Sequence, residues 1–151
     1  MHMPKITAAV IRGWVGCLCI GLMVSSHAQG PQTVDLSVNY NDGVEKRFVL
    51  PYTPGMTVFD AMTLAQKNPH GLKFYCENPS YPCNTAPATN GLITRIDDVK
   101  NEGAGAGAKI WQLWVNGIYA DKGFGACGID AKAKVLWKFD KFHGGGGTVC
   151  K

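Results

Sequence analysis

The chain has 151 residues, 46% hydrophobic and 17% charged, with 15 basic and 11 acidic side chains and a formal net charge of +4. That composition suits one globular domain, and the small, scattered charge excludes a nucleic-acid surface built on clustered Lys and Arg. No segment has the roughly 20 consecutive apolar residues of a membrane-spanning helix.

The N-terminus differs from the rest. Lys5 and Arg12 precede an apolar run from Trp14 to Val24, and small residues follow at Ser26 and Ala28. This is the pattern of a secretory signal peptide, expected over residues 1–28 and cut after Ala28. A retained anchor and lipidation at Cys17 or Cys19 are the alternatives, but "WVGC" lacks the leucine of a lipoprotein site. After cleavage 13 basic residues face 11 acidic ones, a charge of +2. The expectation is an exported protein, periplasmic or secreted, with no membrane span after cleavage. Its main domain would run over 29–143, followed by a Gly-rich tail over 144–151 that carries a cysteine.

Export gives the remaining cysteines a role. Cys76, Cys83, Cys127 and Cys150 are even in number, and in an oxidising compartment they read as structural disulfides. Three pairings are possible. Proximity favours Cys76 with Cys83, stapling "CENPSYPC", and leaves Cys127 to hold the tail at Cys150. Neither a C-x-x-C nor a Cys/His zinc spacing is present.

In chain order, Val34, Leu36, Val38 and Tyr40 alternate on one strand face, and "NDG" then turns the chain into a second strand from about Val44 to Leu50. Thr57 and Asp60 form a capping box with Asp in place of Glu. Val58, Ala61, Met62 and Ala65 follow at helical spacing until Pro69 and Gly71 end the run. A short strand at Leu72 to Tyr75, a stapled loop and a strand in "GLITRID" come next. "NEGAGAGAK" is a flexible connection without the flanking strand and helix of a phosphate loop. "IWQLWVNGIY" then predicts a strand and a tight Asn-Gly hairpin, and "KVLWKFD" a last strand. The order predicts an α+β fold, a mixed sheet with one main helix and disulfide-stapled loops.

Alternation places Trp111, Leu113 and Val115 with Val135, Trp137 and Phe139 in the core, and turns Ile110, Gln112, Trp114 and Asn116 the other way. On that second face Trp114, Gln112 and Asn116, with Tyr119 across the hairpin and Tyr75 or Tyr81 from the stapled loop, make a candidate binding surface for a planar ligand or a partner protein. The alternative is that the loop folds over Trp114 and completes the core. Catalysis finds little support: His70 and His143 lie beside turns with no evident partner, and Asp97 and Asp98, facing opposite ways, read as the solvated end of a strand.

"TVFDAMTLA", "GLITRID", "WQLWVNG" and "VLWKFD" together resemble the bacterial DUF4430 domain over about residues 33 to 140. That family is similar to the C-terminal domain of the cobalamin carriers transcobalamin and intrinsic factor. The resemblance implies a β-grasp (ubiquitin-like) fold and a non-catalytic binding module, with no required cofactor and a corrinoid such as cobalamin as the possible ligand. The second expectation is a protein-interaction module acting with a separate partner chain, docked by a strand edge or by the aromatic face.

Overall fold

The structure, a computed structural model, describes residues 30–76, 83, 92–103, 105–142 and 147–151. The expected signal segment lies outside the described residues. Within them, no helix is long and apolar enough to cross a membrane.

The fold is mixed α+β. Strands β1 (Thr33–Asn39) and β2 (Glu45–Pro51) form the first hairpin, helix α1 covers Val58–Gln66, and β3 (Phe74–Cys76), β4 (Ile93–Ile96), β5 (Val99–Lys100), β6 (Lys109–Val115), β7 (Ile118–Tyr119) and β8 (Lys134–Lys141) follow. Five strands make the main sheet in the order β2-β1-β8-β6-β7, with β8 parallel to β1 and antiparallel to β6. Alternation gives this sheet its buried face: Val34, Leu36 and Val38, then Val135, Trp137 and Phe139, then Trp111, Leu113 and Val115. The buried stripe of α1, Val58, Ala61, Met62 and Ala65, joins the same core.

The helix starts where its capping box requires. Thr57 Oγ1 accepts from the Asp60 amide at 3.2 Å, and the Asp60 carboxylate accepts from the Thr57 amide at 2.8 Å. The next orphan amides are satisfied from outside the helix, Val58 by the Cys127 carbonyl (2.9 Å) and Phe59 by that of Phe124 (3.1 Å). The segment after β7 is thereby docked on the helix start. At the other end the chain turns so tightly that a Cβ on Gly71 would lie 2.4 Å from the Ala65 carbonyl oxygen, so only glycine fits there.

Both disulfides take the pairing that proximity favours, Cys76 with Cys83 and Cys127 with Cys150. The second ties the C-terminus to the segment docked on α1. Asp121 and Lys122 assist, the first accepting from the Val149 and Cys150 amides (3.3 and 3.4 Å), the second donating to the Cys150 and Lys151 carbonyls (3.3 and 3.2 Å).

Two expectations are corrected. The strands around "GLITRID" do not join the main sheet but form a second one, β3-β4-β5. It is fastened to the first where Trp111 Nε1 donates to the Val99 carbonyl at 3.0 Å. Nor is Asp97 a solvated strand end. It occupies the β4–β5 turn at φ 50, a left-handed conformation that Asp tolerates, and collects donors from three segments. Lys46 Nζ and the Lys73 amide each donate to it at 2.8 Å, and the Tyr40 hydroxyl donates to the same carboxylate. Tyr40 in turn packs edge-on against Trp111 at 5.5 Å.

This node makes stability sensitive to acid. Burial by itself raises the Asp97 carboxyl, but the donors from Lys46, Tyr40 and Lys73 outweigh it and hold the group below its ordinary value. A carboxyl depressed in the folded state contributes stability that is present above the unfolded value, about 3.9, and is lost as pH falls through the folded one. Asp97→Asn keeps the shape and the left-handed turn but removes the charge. We expect it to lower stability by about 1–3 kcal/mol at neutral pH and to flatten the acid limb of the stability curve, as read by urea unfolding at a series of pH values.

Candidate functional site

The hairpin between β6 and β7 assembles the site. Asn116 and Gly117 have φ of 52 and 82, the positive pair of a two-residue turn that matches strand twist. The turn fixes the register, so Trp114 sits directly opposite Tyr119 on the face away from the core. Their rings meet edge-on at 5.6 Å, and Tyr119 meets Phe142 at 6.4 Å in the same manner. Phe142, just past β8, is 61% exposed, while Trp114 and Tyr119 are half-buried. Burial also pushes the Tyr119 hydroxyl above its ordinary pKa.

A groove of about 530 Å³ opens beside this row of rings. Tyr119 and Phe142 form its rim, and Trp111, Leu113, Phe124 and Trp137 line its apolar part. The volume falls in the range of small-molecule sites, which are mostly apolar with a few polar groups. The indole N–H groups of Trp114 and Trp137 are buried and, among the described residues, have no hydrogen-bond partner. Trp111 differs, because its N–H is taken by Val99. Of the two unfilled donors, Trp137 belongs to the groove lining and Trp114 to the opposite sheet face, where it packs on the rim residue Tyr119. An unfilled buried donor is unusual, since buried polar groups are nearly always paired.

The residues expected at the site from sequence divide sharply. Trp114 and Tyr119 are brought together. Gln112 is on the expected face yet 1% exposed, with its amide nitrogen donating to the carbonyls of Asp140 (2.9 Å) and Lys141 (2.8 Å). Alternation gives the face of a side chain, not whether that face is covered. Asn116 is exposed, but its Oδ1 accepts from the Lys134 amide at 2.9 Å, which locks the hairpin to β8. Tyr75 stands apart, on β3 in the second sheet, under the guanidinium of Arg95 at 3.5 Å from the ring centroid. Tyr81 lies outside the described residues.

Phe124, Phe142 and Trp137 complete the groove and had no place in the expected binding set. Trp137 reads from sequence as plain core. Phe124 follows "DKG" in a stretch without periodicity, and Phe142 lies beyond the last strand, so neither carries a pattern to mark it.

Among the described residues, no histidine is placed at the groove. His70 is exposed in the turn after α1, and His143 lies outside the described residues. Among the described residues, no three His, Cys, Asp or Glu side chains are grouped to hold a metal ion. The polar residues beside the groove, Asp121 and Lys122, are engaged with the C-terminal tail.

Fold and site thus define a small, disulfide-bonded α+β domain with one helix and an aromatic groove at one side of its main sheet. Residues 55–141 match the family described as Domain of unknown function (DUF4430), and the chain belongs to that family. The matched stretch begins after the first hairpin, so β1 and β2 precede it. No curated protein matches the chain.

Proposed function

We propose that the chain is an exported, non-catalytic binding domain whose aromatic groove takes a flat ligand, a corrinoid or a similar planar molecule. The observation that carries this reading is the row Trp114, Tyr119 and Phe142 beside an apolar groove whose lining includes Trp137, an indole donor unfilled among the described residues. Rings of this kind give a large contact area at low entropic loss, and an acceptor on the ligand would satisfy a donor that folding leaves unpaired. Export is supported by the N-terminal pattern of charge and apolar run and by the two disulfides. The fold we assign is the β-grasp, ubiquitin-like type, supported by the strand order β2-β1-β8-β6-β7, its parallel central pair and its one helix. The corrinoid is chosen on the resemblance to the cobalamin carriers.

At about 530 Å³ the groove embraces one edge of a corrin rather than the whole ring, so a second wall would come from a separate partner chain. The second reading, a protein-interaction module, draws on β2. That strand is the outer edge of the main sheet, with Val49 73% exposed, and an open edge can accept a strand from a partner.

Titration of residues 29–151 with cobalamin and cobinamide, followed by ultrafiltration, tests the first reading. Retention is expected at micromolar ligand, with roughly tenfold loss in Trp114→Ala and none in Val49→Thr. Absence of retention with either ligand would overturn the corrinoid assignment and turn attention to the β2 edge.

A further inference from the structure

A second groove, of about 640 Å³, lies on the three-stranded sheet and is lined by Tyr75, Leu92, Arg95, Lys100 and Ile110 among others. Register places its key residues on one rung. Tyr75 on β3 is the partner of Arg95 on β4, and Arg95 is the partner of Lys100 on β5. Two cations therefore face each other directly across a strand pair, an arrangement that opposes folding. Among the described residues, neither has a carboxylate partner.

The rest of the groove sharpens its chemistry. The Arg95 guanidinium lies over the Tyr75 ring at 3.5 Å, and among the described residues its N–H fork has no hydrogen-bond or ion-pair partner. That fork is the geometry that grips a carboxylate or phosphate with two bonds. Leu92, 56% exposed, and Ile110 add apolar wall. The other polar lining groups are occupied: Thr94 donates to the Tyr75 carbonyl, and the Asn101 amide bridges the Ile93 carbonyl and the Trp111 amide.

We propose that this groove binds an oxyanion, carboxylate or phosphate, carried on an apolar body, with Arg95 and Lys100 holding the charge and Leu92 and Ile110 the body. The anion neutralises a like-charge pair that the fold otherwise keeps together. This site is separate from the aromatic groove, and its test does not depend on the reading given for that groove.

The experiment is a nitrogen-15 NMR titration of the purified chain with phenyl phosphate and with benzoate, using inorganic phosphate and phenol as controls. Saturable shifts are expected at Tyr75, Arg95 and Lys100 with one or both aromatic anions, and the responding probe identifies the preferred oxyanion. Arg95→Gln and Lys100→Gln should each weaken binding by roughly tenfold, with spectra that otherwise remain those of the folded chain. Shifts as large with inorganic phosphate would reduce the site to a diffuse counterion effect and overturn the proposal. Absent shifts with both anions, or unchanged affinity in the two variants, would overturn it equally.

Discussion

Phe124→Ala is expected to lower the stability of the folded chain by about 3–5 kcal/mol, the largest loss of any single side chain considered. Phe124 is 1% exposed and meets Phe59, Phe74 and Trp137 at ring-centroid distances of 5.9, 6.3 and 6.1 Å. These three belong to the helix, the second sheet and the main sheet, so one ring joins all the layers. Truncation leaves a cavity that no single element can collapse to fill. Its backbone carbonyl also caps Phe59, so any shift of the loop loosens the helix start as well. Phe124→Leu, which keeps most of the volume, should cost under about 1.5 kcal/mol. Urea unfolding of both variants checks the contrast, and equal losses would show that the aromatic cluster is not the joint described.

Removing the Cys127–Cys150 disulfide as the double alanine variant should cost about 3 kcal/mol, with a fall in Tm of roughly 10 °C. The bridge spans 23 residues and encloses β8, so its loss restores freedom to a long loop in the unfolded chain. Both cysteines are buried, and alanine avoids placing a hydroxyl where no partner exists. Removing Cys76–Cys83, which spans only 7 residues, should cost about 1 kcal/mol less by the same loop-closure argument. Calorimetry of the two double variants orders them. The longer bridge also has a structural signature: its loss should speed amide exchange in residues 147–151, whose remaining ties include the bonds to Asp121, those from Lys122 and the backbone bonds of Gly147 to Tyr119 and Lys151 to Gly128.

Much of this was legible in the residues because the physics is local. Period-two alternation in β1, β6 and β8 needs only a covered face, and the Thr57–Asp60 capping box is set by four residues. Asn116-Gly117 fixes a register, and the register alone puts Tyr119 opposite Trp114. What escaped is non-local. Two-residue β5 has no period to detect, so nothing local set the expected strands at β3 and β4 apart from the main sheet. Asp97 gains its partners from Tyr40 and Lys46, more than 50 positions away. Gln112 is buried with its amide nitrogen held by two carbonyls at the end of β8, and Phe124 reaches the core from a glycine-flanked loop. The same holds for the groove itself, which exists only where the end of β8, the β6–β7 hairpin and the loop after it converge.

The measurement that addresses the binding proposal most directly is an NMR record of the three indole N–H signals after residue 28, from Trp111, Trp114 and Trp137, as cobinamide is added. The Trp137 signal, from a groove-lining ring, and the Trp114 signal, from the ring packed on Tyr119 at the rim, both without a partner among the described residues, are expected to move in a saturable way. The Trp111 signal, held by the Val99 carbonyl, should move least. Three unmoved indoles, or changes confined to the β2 edge, would contradict the binding proposal.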